Sequence, residues 1–380
     1  MACKSQTIGV DSPARGRNVI LSLFCILALA LNIATTAEAG EALGYCTVNQ
    51  GTTDGAGGET VTVDNLTDLR SYVSDDDTPY IVRVKGTLSM PDGDLKLNSN
   101  KTIIGLGADA TIIGCLRANN NKNNIVVRNL TITNPKGYGS EQDGVIISNG
   151  CKNIWFDHCT FLDCPDELFT VKGQCDWVTV SWCKFYYSDN YPKNNYGMLI
   201  GASDGSIGNR GKLHVTIHHS WFGKNIGSRM PRVRFGRVHM FNNYLNSKGK
   251  DCIRVALECE ILTENNCFHS VRKPWFYYVK PGQIKGTISS SGDIFDNVRG
   301  WNASPKTKGK LAAEANGLNP PPYTYSLDPA EKVSALVTAG AGAGKGPFSP
   351  ANDPPTTTID QDTGTGVLSV TIGDPETDPT

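Results

Sequence analysis

Surplus charge is what this sequence lacks most plainly. Across 380 residues, 36 Lys and Arg face 37 Asp and Glu, giving a formal net charge of -1, and only 19% of residues are charged. Binding nucleic acid through the overall field needs a basic excess, so that class is excluded and any anionic ligand must be met by a local patch. Long apolar runs are as scarce: after one stretch at 19–33, no segment approaches the ~20 apolar residues that span a bilayer, and no membrane partner is expected. Helical periodicity is also nearly missing. Residues 65–73, with Leu66, Leu69 and Val73 on one side, read as the one good amphipathic helix near the N-terminus.

The exception at 19–33 is a targeting segment. Lys4, Arg15 and Arg17 precede it, and Ala37-Glu38-Ala39 offers small residues where a signal peptidase reads, so residues 1–39 are expected to be a signal peptide cut after Ala39 and the mature protein to be secreted. Cys3 and Cys25 leave with it, and ten of the 12 cysteines remain. An even count in an exported chain points to disulfides as reinforcement. At the other end, residues 346–380, rich in Pro, Thr and Asp, read as a disordered tail, while residues up to about 345 have the composition to pack along the main domain, 40–345.

What the sequence has in quantity is repetition. Six segments, 125–132, 154–161, 178–185, 215–222, 238–245 and 261–268, begin on Ile or Val and end on Ile, Leu or Phe, with starts 29, 24, 37, 23 and 23 residues apart. Residues 102–113 look like an irregular earlier copy and 288–295 like a degraded later one. Units of this kind cannot bury an apolar face alone and must stack on their neighbours. Leucine-rich repeats share the period but would show Leu at fixed close spacing and a helical half, and neither occurs. The expected fold is therefore all-β, a single-stranded right-handed parallel β-helix (solenoid) of about eight rungs at ~4.8 Å spacing, with side loops. The loops fall at 186–205, in the 37-residue step, and around Glu141, in the 29-residue step. Cys159 and Cys183 hold the same repeat position, which stacking would bring within the ~4.4–6.8 Å Cα window of a disulfide; a bridge is expected, or failing that an interior thiol stack. Asn129, Asn242 and Asn265 share the fifth position and suggest a partial interior asparagine ladder at a coil corner.

Positive charge is concentrated once, where Arg229, Arg232, Arg234 and Arg237 fall within nine positions. Pro231 forbids helix there, so Arg232 and Arg234 share one face of an extended backbone. Such clusters pair with carboxylates or phosphates in two-point contact.

Together, the repeat and this stretch carry a resemblance. Gly-Tyr-Cys-Thr-Val-Asn-Gln-Gly-Thr-Thr-Asp-Gly-Ala-Gly-Gly at 44–58, Ser-Asn-Lys-Thr-Ile-Ile-Gly-Leu-Gly at 99–107, Asn-Ile-Trp-Phe-Asp-His at 153–158, Val-Thr-Val-Ser-Trp at 178–182, Met-Leu-Ile-Gly at 198–201 and Arg-Met-Pro-Arg-Val-Arg-Phe-Gly at 229–236 follow the order of motifs in the pectate lyases of polysaccharide lyase family one. The chain resembles that family over about 44–345. The resemblance implies a parallel β-helix that cleaves polygalacturonate, an acidic plant cell-wall polysaccharide, by Ca²⁺-dependent β-elimination. It implies Arg229 as the catalytic base, Arg234 as a binder of the substrate carboxylate with Arg232 beside it, and Asp143, Asp166 and Glu141 as Ca²⁺ ligands, with Glu167, waters and substrate completing the shell. Thr170 departs from the pattern, standing where the family keeps a second acid after Asp166. Tyr196 stands where the family keeps a substrate-binding lysine, so the nearby Lys193 is the candidate for that role.

Other residues take plainer roles. His218 and His219 are adjacent in a strand and face different ways, which suits structure better than a metal cluster. Asp157 and His158 read as an internal hydrogen-bonding pair, and Trp155, Trp182 and Trp221, set within repeats, as packing. Two other functions remain open at this point: a lyase acting on methyl-esterified pectin, and a non-catalytic β-helix, monomeric like the enzyme, that binds acidic glycans through its arginines.

Overall fold

The structure, a computed structural model, describes residues 41–139, 141–300 and 318–346. The expected signal peptide, and the expected tail apart from Gly346, lie outside the described residues. Nearly all strands pair in parallel, in one 17-stranded and one 8-stranded sheet. Within the larger sheet one column runs from Glu59–Val63 through Tyr80–Ser89, Lys101–Ile113, Asn123–Arg128, Lys152–Asp157, Asp176–Ser181, His214–His218, Arg237–Phe241 and Glu260–Glu264 to Thr287–Ser291, each strand hydrogen-bonded to the next. The β-solenoid therefore has about ten turns rather than about eight. The two extra turns are Glu59–Val63 and Tyr80–Ser89, which escape the repeat because they form the end of the stack. There the helix Leu66–Ser74 covers the core with Leu69 and Val73, and Asn65 caps it by accepting from the Asp68 N–H.

The repeat phase holds throughout. The first positions stack as Ile125, Ile154, Val178, Val215, Val238, Ile261 and Ile288. The eighth stack as Ile132, Phe161, Phe185, Phe222, Leu245, Phe268 and Phe295. Phe185 lies ring on ring with Phe161 and Phe222, centroids 4.8 Å apart on either side. Because each rung presents the same apolar residue to the rung above, the core is continuous along the axis.

The fifth position makes the corner. Asn129, His158, Trp182, His219, Asn242 and Asn265 all have φ between 48° and 54°, the left-handed region that turns the chain between columns. Their side chains turn away from the apolar core and lie beneath residues 318–346, where Asn129 and Asn242 are fully buried, so the asparagine ladder expected here is under that segment and not in the core. Trp182 stacks between His158 and His219, while Asn242 and Asn265 donate to the Asp328 carbonyl. The interior ladder belongs to the sixth position instead. The corner leaves the next N–H pointing along the axis, and each is met by a side chain one rung on: Cys159 N–H by Cys183 Sγ (3.4 Å), Cys183 by Ser220 Oγ (3.2 Å), Ser220 by Asn243 Oδ1 (2.9 Å), Asn243 by Asn266 Oδ1 (2.9 Å) and Asn266 by Asp293 Oδ1 (2.7 Å). Cys159 and Cys183 thus form a thiol stack and not the expected bridge; all ten described cysteines are buried and free. Burial pushes the Cys183 thiol well above its usual pKa, keeping it an uncharged acceptor.

Residues 318–346 run back along the outside of the stack. The helix Ala330–Gly340 buries Val333 and Val337 against Tyr244 and Cys267, and beyond it Gly342, Ala343 and Gly344 donate to Trp182 O, Thr160 Oγ1 and Asn129 Oδ1 on successively earlier rungs. Among the described residues, no helix is long and apolar enough to cross a membrane.

Candidate active site

The site is built on the 8-stranded sheet. Its outward-facing column reads Arg117, Ile146, Thr170, Leu199, Arg232, Arg254, Phe276, one residue per rung. Two arginines therefore stand one rung apart on the upper half, while the acids gather where the chain enters the lower strands.

Asp143 lies just before the strand Val145–Ile147, Asp166 just before Glu167–Val171, and Glu167 opens that strand. A ligand oxygen from each of Asp143, Asp166 and Glu167 lies within 4.8 Å of the others. Asp143 and Glu167 are buried and Asp166 is half-buried. The Glu167 N–H donates to Asp143 Oδ1 at 3.3 Å, fixing the two rungs to each other. Burial, with the charge of Asp166 adding to it, pushes Asp143 up to about 8. Three crowded carboxylates in a poorly solvated corner are donors of the kind a hard divalent cation takes. Glu167 is thus the third acid of the cluster, on the strand in which Thr170 departs from the family pattern. Glu141 stands apart from this trio, drawn off by Arg117 (3.1 Å) and by an ion pair with Lys172.

Arg229 reaches the acids from two rungs above. Glu167 pairs with Tyr196 and Tyr196 with Ser228 in register, and the Arg229 side chain passes over the Tyr196 ring, Cζ 3.6 Å from its centre, to form an ion pair with Glu167. Its φ of 64° aims it there. Tyr196, found where the resemblance led us to seek a lysine, is the aromatic seat of this arginine. The close approach depends on Gly197, where a Cβ would lie 2.5 Å from the Arg229 carbonyl. Burial, followed by the charge of Arg254, lowers the pKa of Arg229.

The remaining arginines differ in how they are held. Arg234 is nearly buried: its Nε donates to Asp204 Oδ1 (2.7 Å) and its Nη1 to the carbonyls of Gly201 and Ala202 (3.0 and 2.9 Å). Arg254 is gripped by both oxygens of Asp251 (2.9 and 3.0 Å). Arg232 lies over Tyr278, 4.4 Å from the ring centre, and its buried Nε has no hydrogen-bond partner among the described residues. Burial, with Arg234 and Arg229 close by, brings its pKa down to about 10. Arg232 and Arg234 line an open cleft of about 470 Å³ with Asp204, Tyr278, Lys280 and Gln283. Lys193 is exposed in the segment before Tyr196–Ile200, and no contact joins it to the acids or arginines among the described residues.

A profile of the pectate lyase family matches residues 18–346. The chain belongs to the pectate lyase family. It is 32% identical to a pectate trisaccharide-lyase of Bacillus licheniformis over 83% of this chain and 94% of that protein. As a family member it is a polysaccharide lyase, which removes the non-catalytic reading. Its fold matches a variant of Bacillus subtilis pectate lyase with a TM-score of 0.66 at 22% identity, covering 81% of this chain and 99% of that one. A second Bacillus pectate lyase, solved in complex with trigalacturonate, matches with a TM-score of 0.65 at 25% identity over 80% of this chain and 99% of that one.

Sequence reasoning did not find Asp204, Asp251 or Tyr278, which orient the pectate lyase family arginines here. Gly197 and Gly201 were the available signal. A Cβ at either would press on the carbonyl of Arg229 or Arg234, so the glycines mark the rung on which those arginines rest.

Proposed function

We propose that this chain is secreted and, as a monomer, cleaves de-esterified homogalacturonan by Ca²⁺-dependent β-elimination to unsaturated oligogalacturonides. The contact between Arg229 and the acid trio supports this reading, because it sets a buried guanidinium beside three clustered carboxylates. In the reaction the C5–H bond next to the uronate carboxylate breaks, its electron pair forms the C4=C5 double bond, and the C4–O glycosidic bond breaks as the leaving oxygen takes up a proton. Asp143, Asp166 and Glu167 would hold Ca²⁺, which when bound neutralises a substrate carboxylate and so acidifies the C5 proton.

The rest falls to side chains. Arg229 takes the C5 proton at a guanidine nitrogen; burial and the charge of Arg254 disfavour its protonated form, the direction a base needs. Arg232, which has no ion pair among the described residues, receives a uronate carboxylate in the cleft. Arg234, locked by Asp204, forms the cleft wall with its remaining N–H groups. Glu141 and Lys193 are assigned no step. Residues 1–39 are removed on export, so the exported protein should begin at Gly40.

Action on methyl-esterified pectin would leave the acid trio and its cation with no charged substrate group to meet. The test is the rise in ultraviolet absorbance of unsaturated uronides on polygalacturonate and on highly methylated pectin. A faster rate on polygalacturonate is expected, with an unsaturated trimer the first product to seek given the named relative. Greater activity on the esterified polymer would overturn the reading.

A further inference from the structure

Glu167 has two claims on it. Its carboxylate belongs to the acid trio and also holds the Arg229 guanidinium, with a side chain only 3% exposed. Its backbone N–H is tied to Asp143, so the residue cannot move away from the other acids. Among the described residues, Arg229 has no ion-pair partner other than Glu167, its buried Nε makes no hydrogen bond, and its other support is the face of Tyr196. A divalent cation bound by the trio would sit ~2.3–2.6 Å from its carboxylate oxygens, against a guanidinium already in contact with one of them. In a poorly solvated corner those like charges repel strongly.

Resting on the reading that the trio holds a divalent cation, we propose that Glu167 is a shared ligand, passed between Arg229 and the metal. Without the cation, Glu167 keeps the arginine pinned. When the cation binds, Glu167 turns its charge to it, and the guanidinium is left on Tyr196, free to face the substrate. Metal entry thereby arms the arginine, and by reciprocity the arginine weakens the metal.

Calorimetric titration of Ca²⁺ into the purified protein, without substrate, tests this. The wild type should bind; failure to bind any Ca²⁺ would overturn the metal reading itself, and with it this proposal. Arg229→Gln should bind about tenfold more tightly and Glu167→Gln at least about tenfold more weakly. The deciding result is the double variant. With Glu167 already replaced, Arg229→Gln should change the affinity by less than about twofold, because the competition it relieves no longer exists. Equal tightening in both backgrounds would mean that Arg229 acts as a remote charge, and weaker or unchanged binding in Arg229→Gln would mean no competition; either overturns the proposal while leaving the metal site standing. Circular dichroism confirms folding of each variant, and Arg229→Met, uncharged and of similar reach, replaces the glutamine variant if it does not fold.

Discussion

At the residue scale, the account depends on what each charged group touches. Arg229→Lys keeps a charge but loses the planar fork that rests on Tyr196 and reaches Glu167, so the base is misplaced and kcat should fall by about 10²–10⁴ with KM little changed. Arg234→Lys cannot serve Asp204 and two carbonyls at once, and should instead raise KM; steady-state kinetics on polygalacturonate separates the two. Glu141→Gln should leave Ca²⁺ affinity within about threefold, since Arg117 and Lys172 already hold that carboxylate, whereas Asp143→Asn should weaken it by at least about tenfold. Away from the site, His218 is fully buried against Phe241 and its burial, with His219 and His239 near, holds its pKa well below the usual value. The folded chain therefore keeps His218 neutral while the unfolded chain protonates it, so stability falls as pH drops through ~6.5, by about 1.4 kcal/mol per unit until the folded pKa is reached. Between pH 7 and 5 the difference in stability between the wild type and His218→Phe should follow that slope, since Asp143, raised to about 8, adds an opposite slope to both. Arg229, Asp143 and Asp166 were legible because a short motif keeps their spacing. The fate of Glu141 was not, because Arg117 lies 24 residues upstream and meets it only through stacking.

At the scale of the element, each rung is held by an apolar eighth position and a polar sixth. Phe185→Ala removes a ring stacked on both sides and should cost about 3–5 kcal/mol in chemical denaturation. Asn266→Ala leaves the Asn243 N–H unmet in the interior, and a loss of about 1–3 kcal/mol is expected. Because the described cysteines are free, reductant should leave the unfolding midpoint unchanged; a large drop would contradict the thiol stack. The eight-residue strand-turn-strand unit could be read directly from the sequence, since periodic Val, Ile and Phe survive in every copy. Which of two adjacent positions faces inward could not. Asparagine suits both a left-handed corner and an interior ladder, and only the φ of the corner decides between them.

At the largest scale, a continuous core runs along ten turns of the described residues, and loops and a returning strap are laid on it. The strap pins the corner residues: His219 pairs with Asp328 at 2.8 Å, and Asn242 and Asn265 share the Asp328 carbonyl. Asp328→Asn should lower the melting temperature and raise hydrogen exchange along residues 318–346 more than in the central rungs. The architecture was legible because a solenoid repeats its instructions; the two turns at its end were not, since a helix, and not another rung, completes their burial. The 8-stranded sheet carries the acids and arginines together, and the claim that joins them is Ca²⁺-dependent elimination on an unesterified polymer. The most direct test follows unsaturated uronide absorbance on polygalacturonate after chelation and again after Ca²⁺ is restored. The account predicts that product formation stops with chelator and returns with Ca²⁺; undiminished product formation in chelator would contradict it.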